Sequence, residues 1–218
     1  MKNINLNLKI TCDGGAATGK TTGARLLAKK YKLSFLSSGL LYRYASYLIL
    51  KFKPKKKTLF LKKKFKKLNY KKLNKINLHT PEISNYSAII AKRITIRNIL
   101  KTYQIKFINS HSRCVLEGRD ASTKILPNSD LKFFFICNLK VAAKRRFKEL
   151  KKLSAKINEA DVKKALKLRN ILDKKRKHSP LKKHKNAIIV DTGKLNKTMM
   201  VAKMSKHVER ILKSKYGN

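Results

Sequence analysis

Gly14-Gly15-Ala16-Ala17-Thr18-Gly19-Lys20-Thr21 is the segment of this chain that is most informative about its fold. It satisfies the pattern G-x-x-x-x-G-K-[ST], and it stands between an alternating apolar run and a helical pattern, which is the setting of a phosphate-binding loop. Small residues let consecutive backbone N–H groups turn toward phosphate oxygens, and the lysine reaches the β- and γ-phosphates. The residues expected to contact a nucleoside triphosphate are Gly14, Gly15, Ala16, Ala17, Thr18, Gly19, Lys20, Thr21 and Thr22.

Two details of this loop stay open at the level of sequence. The hydroxyl of either Thr21 or Thr22 would bind Mg²⁺. Asp13, which ends the first strand, would hold Mg²⁺ through water or cap the turn, and we favour the cap because Asp side chains often accept hydrogen bonds in turns.

Apolar patterns along the chain alternate between the period of a strand and that of a helix. Strands are predicted at residues 4–10, 33–36, 114–116, 131–137 and 187–190. Helices are predicted at residues 21–31, 40–50, 83–108, 139–150, 159–173 and 197–215. This alternation is typical of an α/β fold, a three-layer parallel sheet of about five strands with helices on both faces.

The composition indicates a packed protein with an extreme positive charge. The chain has 218 residues, 56 Lys and Arg against 11 Asp and Glu, a formal net charge of +45, and 42% hydrophobic residues, which is enough to build a core. Lysine, asparagine and isoleucine share A/T-rich codons, so we favour drift in base composition over a polyanion partner as the source of this charge.

The same composition predicts where the protein works. No apolar run approaches the roughly 18 residues of a membrane span, and the N-terminal residues lack the apolar stretch of a signal peptide. Three widely spaced cysteines, Cys12, Cys114 and Cys137, favour buried thiols in a reducing compartment. We therefore expect a cytoplasmic protein that does not bind membranes.

Residues 51–75 interrupt the alternation of predicted strands and helices. This segment contains 13 lysines and no acid, with Leu, Phe and Tyr residues between them. The pattern predicts an inserted subdomain with a small apolar face. Basic residues with interleaved aromatic residues also suit nucleic-acid binding, but a solvated face enriched in lysine by drift is the favoured interpretation.

Arginine is informative in this chain because lysine is its default cation. A guanidinium group grips phosphate or carboxylate in two places, so arginines that persist among 45 lysines indicate positions with a geometric demand. The candidates are Arg43, Arg97, Arg119, Arg145, Arg146, Arg169 and Arg176.

Several short motifs lie along the chain, and four of them contain or lead to arginines of this set. They are Ile10 to Thr22, Ser38-Gly39-Leu40-Leu41-Tyr42-Arg43, Thr80-Pro81-Glu82-Ile83-Ser84 leading to Arg97, Glu117-Gly118-Arg119-Asp120, the spacing Arg169, Asp173, Arg176 before Ser179-Pro180-Leu181, and Ile189-Val190-Asp191-Thr192. In this order and spacing they resemble bacterial cytidylate kinases, P-loop nucleoside monophosphate kinases that phosphorylate CMP and dCMP, over nearly the whole chain.

The resemblance implies roles for individual residues. Arg43, Arg119 and Arg176 would clamp the phosphate of CMP, while Asp173 and Arg169 would hold the ribose hydroxyls. Asp120 and Arg97 would read the cytosine edge, with Ser38 beside them. Lys20, Arg119, Arg145, Arg146 and Arg176 would be catalytic, because phosphoryl transfer needs positioning and neutralised charge more than covalent chemistry.

The resemblance also implies an organisation. Residues 1–50 and 98–218 would form the kinase core, with a helical lid at roughly 140–180, and residues 51–97 would form the lysine-rich NMP-binding insert and the following helix. The implied cofactors are ATP, as phosphoryl donor, and Mg²⁺. We expect a monomer with no specific nucleic-acid partner, although non-specific attraction to nucleic acid is expected at low salt.

The chain departs from the family pattern at four positions. Ala88 replaces a serine that contacts the base, so that either Ser87 substitutes or one contact is missing. His79 stands for arginine, Ser37 for aspartate, and two threonines follow Lys20. Two alternatives therefore remain: a small P-loop kinase with a UMP, AMP or non-nucleotide acceptor, or a nucleic-acid-binding P-loop protein that uses its lysines.

Overall fold

The computed structural model describes residues 7–151 and 157–217 and contains five strands and eight α-helices within them. In chain order they are β1 (Leu8–Gly14), α1 (Lys20–Lys30), β2 (Ser34–Ser37), α2 (Ser38–Phe52), α3 (Lys57–Lys66), α4 (Pro81–Ile90), α5 (Ile94–Asn109), β3 (Arg113–Gly118), β4 (Leu131–Ile136), α6 (Leu139–Lys151), α7 (Glu159–Lys175), β5 (Ile188–Asp191) and α8 (Lys197–Tyr216).

The strands form one sheet in the order β2-β3-β1-β4-β5. Strand β1 pairs in parallel with β3 and β4, and β4 pairs in parallel with β5. Because parallel neighbours require crossover connections, the intervening helices follow from this order. The predicted α/β class with about five strands is confirmed.

Contacts divide the chain into two units. The first consists of Met1–Phe35 and His111–Asn218, and the second of Leu36–Ser110. The chain passes from the first to the second within β2. The insert expected at residues 51–97 lies inside the second unit, and the lid expected at roughly 140–180 includes residues 152–156, which lie outside the described residues.

The core of the first unit lies around β1 and β4. Cys12, Phe133 and Phe135 are fully buried and pack with Met204 and Val208 of α8. Every residue of β1 except Lys9 is buried, as expected for a central parallel strand. Helices α6 and α7 form a second, smaller apolar cluster, to which they contribute Ala142, Ala143, Leu150, Val162 and Leu166.

After the last two residues of β2, the regular structure of the second unit is helical. The lysine-rich segment forms α3 and a 3₁₀ helix at Tyr70–Lys75, and its apolar face is buried at Leu61, Phe65 and Leu73. Phe65 packs against Tyr44 and Tyr103, with ring centroids 5.8 and 6.0 Å apart. The apolar face predicted for this segment is therefore present.

Three sequence predictions need correction or limits. The helix expected at 83–108 is two helices, because the amides of Lys92 and Arg93 donate to the carbonyls of Ile89 and Ile90 in a tight turn that ends α4. Cys12 and Cys114 are buried as expected, but Cys137 is only half-buried. The predicted first strand falls partly on residues 1–6, which lie outside the described residues. Among the described residues, no helix is long and apolar enough to cross a membrane.

Candidate active site

The predicted phosphate-binding loop connects β1 to α1. Gly19 caps α1 with φ of 78°, a left-handed conformation that glycine adopts without a steric penalty. A Cβ on Gly14 would lie 2.5 Å from the carbonyl oxygen of Phe135, so the close approach of β4 requires glycine there. The backbone thus explains two of the three glycines in the motif.

Lys20 is buried at the start of α1. Its Nζ donates to the carbonyl oxygen of Gly15 at 3.0 Å and lies 3.4 Å from Oε1 of Glu117. Burial and, to a smaller extent, the charge of Arg119 lower the pKa of Lys20 to about 8, although Glu117 and Asp173 oppose the shift. The lysine is therefore held in place by polar partners while its charge is destabilised.

Glu117 is a functional candidate that the sequence reasoning did not single out. It occupies a buried position near the end of β3, where its carboxylate faces Lys20. Its signal in the sequence was weak, because one acid before Gly118 carries no spacing that predicts contact with a loop a hundred residues earlier. Pairing of β1 with β3 creates that contact, with Cys12 opposite Glu117 in the register.

A cluster of buried and partly buried charges surrounds Asp173 on α7. The Nε of Arg119 donates to Oδ2 of Asp173 at 2.9 Å, and Oδ2 lies 3.6 Å from Nε of Arg169. Nη1 of Arg176 lies 3.5 Å from Oδ1, and Nη2 lies 3.6 Å from Oδ1 of Asp120. The structure thus brings together five residues that the resemblance implied for acceptor binding.

The charges in this cluster compensate one another. Burial alone would raise the pKa of Asp173, but the guanidinium groups of Arg119, Arg169 and Arg176 outweigh it and hold the pKa below its usual value. Asp173 is therefore ionised at neutral pH, and its charge offsets part of the repulsion between three arginines.

Helix α7 also contacts the phosphate-binding loop. The N–H of Ala16 donates to Oδ1 of Asn170 at 3.0 Å, and Asn170 follows Arg169 directly in the sequence. Asn170 was missed by the sequence reasoning, since its only signal was its place inside the Arg169–Arg176 motif. One helix thus carries residues of the arginine cluster and a contact to the loop.

Arg145 reaches the same loop through Thr192. Its Nη1 and Nη2 donate to the hydroxyl and the carbonyl oxygen of Thr192 at 3.0 and 2.7 Å, and this hydroxyl donates to the carbonyl oxygen of Thr18 at 2.8 Å. Arg146 instead pairs with Glu149 at 3.0 Å, where Glu149 is largely exposed. The two arginines, which were predicted to act together, therefore have different surroundings.

Asp13 supports the turn that follows Asp120. Its carboxylate accepts hydrogen bonds from the N–H groups of Ala121 and Ser122 at 2.8 and 2.7 Å and from the Ser122 hydroxyl at 2.6 Å. Burial raises its pKa to about 6, against the effect of these hydrogen bonds. The carboxylate caps a turn, as favoured from the sequence, but a distant one.

In the second unit, Ser38, Arg43 and Arg97 each have polar contacts of their own. The hydroxyl of Ser38 accepts from Nε2 of Gln104 at 2.6 Å, and Arg97 donates to the carbonyl oxygen of Ala91 at 3.2 Å. Arg43 donates to Nδ1 of His79 at 2.6 Å. Gln104 is a further residue that the sequence reasoning missed.

One departure from the family pattern, Ser37, has a structural substitute, while the surroundings of Ser87 and Ala88 leave their relation to the base untested. Ser37 caps α2, because its hydroxyl accepts from the N–H of Leu40 at 3.3 Å, which a short polar side chain does in place of aspartate. Ser87 donates to the carbonyl oxygen of Ser84 at 2.7 Å, and Ala88 is buried beside it on α4. Thr21 is half-buried and Thr22 exposed in the first turn of α1.

Comparison with known proteins identifies relatives over almost the full chain. A family model described as cytidylate kinase matches residues 10–210. Proteins named cytidylate kinase from Thermosipho melanesiensis and Bartonella tribocorum are each 34% identical to this chain, and each alignment covers 94% of this chain and 95% of the relative.

Comparison with solved structures supports the fold alone. An uncharacterized protein from Eubacterium ventriosum has a TM-score of 0.53 at 14% identity, with 94% of this chain and 99% of that chain covered. TT1252 from Thermus thermophilus has a TM-score of 0.51 at 11% identity, with 94% and 97% covered.

Proposed function

The chain belongs to the cytidylate kinase family, and from that premise we propose how its own residues divide the work of the reaction. The protein transfers the γ-phosphoryl group of ATP to CMP or dCMP and releases ADP with CDP or dCDP. A phosphate oxygen of CMP forms the new bond to the γ-phosphorus, while the bond from that phosphorus to the β–γ bridging oxygen breaks. Neither a UMP or AMP acceptor nor a purely nucleic-acid-binding role is supported over this reaction.

The observation that carries the assignment of residues is the cluster of arginines around the buried carboxylate of Asp173. Its members Arg119 and Asp173 act electrostatically on Lys20. The charges proposed to bind the acceptor nucleotide therefore also affect the lysine proposed to bind ATP. Asn170 of the same helix contacts the phosphate-binding loop. Such preorganised cations stabilise charge that spreads over a transferring phosphoryl group without reorganisation during the reaction.

We assign the acceptor phosphate and ribose to this cluster. Arg119 and Arg176 would bind the phosphate of CMP, because a guanidinium group holds two phosphate oxygens in a fixed geometry. Asp173 and Arg169 would bind the ribose hydroxyls. Arg43 would bind the same phosphate, with His79 orienting its guanidinium through their 2.6 Å contact.

The base would be read by Asp120, Arg97 and Ser38. Asp120 would accept a hydrogen bond from the exocyclic amine of cytosine, which uracil lacks. Arg176 supports this carboxylate at 3.6 Å, and Asp13 holds the turn that follows it. Gln104 would orient the Ser38 hydroxyl through the hydrogen bond between them.

ATP would bind on the loop from Gly14 to Thr22. The ammonium group of Lys20 would contact the β- and γ-phosphates, and Arg145 and Arg146 would neutralise charge near the transferred phosphoryl group.

A threonine hydroxyl is a suitable ligand for Mg²⁺, and Thr21 or Thr22 would supply it, together with phosphate oxygens and water. Asp13 is committed to three hydrogen bonds and is a poor candidate. When bound, Mg²⁺ would neutralise charge on the phosphates.

A substrate panel tests these assignments. With ATP and Mg²⁺ we expect kcat/KM for CMP and dCMP to exceed that for UMP and AMP by at least about 100-fold, because an unpaired buried polar group strongly disfavours the wrong base. Asp120→Asn should reduce this CMP-to-UMP ratio by about tenfold or more. Asp161→Asn, a change at the exposed start of α7, should leave the ratio unchanged.

The role of Asp120 would be refuted by an unchanged CMP-to-UMP ratio in Asp120→Asn.

Arg119→Lys should raise KM for CMP by about tenfold, because lysine keeps the charge but loses the two-point contact with phosphate. We further propose that the protein is a cytoplasmic monomer, which gel filtration at several protein concentrations tests for the oligomeric state.

A further inference from the structure

A cavity of about 370 Å³ lies in the second unit, outside every residue assigned above to catalysis. Its lining includes four lysines: Lys63 and Lys64 near the end of α3, Lys67 just after it and Lys72 of the 3₁₀ helix. Tyr44 and Leu73 contribute apolar wall. Cavities of this size and mixed lining are typical of ligand sites.

The charge around this cavity is uncompensated within its unit. Residues 36–110 contain sixteen lysines and three arginines, and their one acid is Glu82. Lysines that converge on a cavity without acidic neighbours repel one another, and a bound polyanion removes this repulsion. Charge complementarity therefore favours an anionic partner.

Two aromatic rings lie beside these lysines. Phe52 and Phe60 have ring centroids 5.7 Å apart, and Nζ of Lys64 lies 5.4 and 5.5 Å from the two centroids. Phe52 is 50% exposed although phenylalanine is normally buried. Partly exposed aromatic rings next to lysines offer a stacking surface beside cations.

We propose that this surface binds single-stranded nucleic acid. The α3 surface, as we define it, consists of Phe52, Phe60, Lys63, Lys64, Lys67 and Lys72. Its lysines contact phosphodiester oxygens, and its phenylalanine rings stack with unpaired bases, the combination by which proteins bind single strands without sequence preference. A duplex fits less well because its bases are already paired and stacked. This binding is a second activity that does not depend on the kinase reaction.

The test compares two variants with the same loss of charge. A labelled oligothymidylate of about 20 nucleotides is titrated by fluorescence anisotropy at several salt concentrations. The α3 variant carries Lys63→Ala, Lys64→Ala, Lys67→Ala and Lys72→Ala, and the matched control, with four exposed lysines of α8, carries Lys197→Ala, Lys203→Ala, Lys206→Ala and Lys213→Ala.

We expect Kd at 150 mM salt to rise by about tenfold or more in the α3 variant and by less than about threefold in the control. The magnitude of the slope of log K against log salt should fall by about 3 in the α3 variant, since four phosphate contacts are lost and each contributes about 0.7. Turnover of CMP, measured in parallel, reports that both variants are folded. If the two variants raise Kd equally, binding depends on the overall charge of the protein and not on the α3 surface, and the proposal is wrong.

Two further measurements separate stacking from charge. Phe52→Ala with Phe60→Ala should raise Kd by about tenfold while leaving the salt slope unchanged, because no charge is removed. This pair removes partly exposed rings, so it also tests the surface if the lysine variant does not fold. An unchanged Kd, equal binding of a duplex of the same length, or displacement by TMP at equal nucleotide concentration would each contradict a single-strand surface.

Discussion

Burial makes the charge of Lys20 sensitive to pH. Its pKa of about 8 lies well below that of a free lysine, so the free enzyme loses this charge above about pH 8. Because kcat/KM reports ionisations of free enzyme and substrate, we expect kcat/KM for ATP to fall above about pH 8. Glu117→Gln should move this decline to lower pH, since Glu117 raises the pKa of Lys20. Initial rates between pH 6.5 and 9.5 measure the effect.

Lys20→Arg is the control for this prediction. Arginine stays charged throughout that range, so the variant should be less active at pH 7 but should show no decline between pH 8 and 9.5. The binding constant for ATP, followed over the same range, provides the readout if turnover is too low. A decline of the same size in Lys20→Arg would assign the ionisation to another group.

Asp13 and Thr192 show why single residues resist prediction from sequence. The contacts of Asp13 with Ala121 and Ser122 span more than a hundred residues, and Thr192 reaches Thr18 across 174 positions. Both are short polar side chains whose local sequence is compatible with ordinary turn capping. The order of the strands determines which residues these side chains contact. The sequence therefore predicts that each one forms hydrogen bonds, but not with which partner.

At the scale of elements, α7 is the best predicted part of the site. The spacing from Arg169 to Asp173 is one helical turn, so a helix places both on one face, and the structure confirms a helix over Glu159–Lys175. Arg119 joins them from the segment after β3, at 2.9 Å from Asp173. The helix was therefore predictable from periodicity, while its partner was not.

Asp173→Asn should destabilise the protein strongly. The carboxylate pairs with three guanidinium groups in a buried position, and removal of one member of such a cluster leaves uncompensated buried charge. We expect the free energy of unfolding to fall by about 3–5 kcal/mol at pH 7. Urea denaturation followed by circular dichroism measures this change.

Glu159→Gln provides a matched control on the same helix. Glu159 is exposed in the first turn of α7, so its neutralisation should cost at most about 1 kcal/mol. A cost for Asp173→Asn no larger than that for Glu159→Gln would mean that the cluster does not depend on its central carboxylate.

The whole molecule carries a net charge of +45, which should oppose its own folding. Like charges lie closer together in the compact state than in the unfolded chain, and salt screens their repulsion. We expect the free energy of unfolding to rise by about 1–2 kcal/mol between 10 and 200 mM sodium chloride. Urea denaturation tests this, because urea is uncharged and leaves the ionic strength unchanged.

The low salt range is chosen to isolate screening. Sucrose, which is neutral, is the control for effects of solute exclusion from the protein surface. If stability is constant or falls as sodium chloride is added, self-repulsion is not a significant term in the folding of this chain.

Local patterns along the chain are enough to predict the α/β class, the phosphate-binding loop and the helix of the arginine motif. These features depend on local periodicity and on residue types that short backbone segments require, such as glycine at Gly14 and Gly19. The three-dimensional packing was needed to find that Glu117 faces Lys20, that Asn170 contacts Ala16, and that lysines of α3 line a cavity. These contacts join segments far apart in the chain, and strand order and helix packing, rather than any local pattern, bring them within hydrogen-bonding distance.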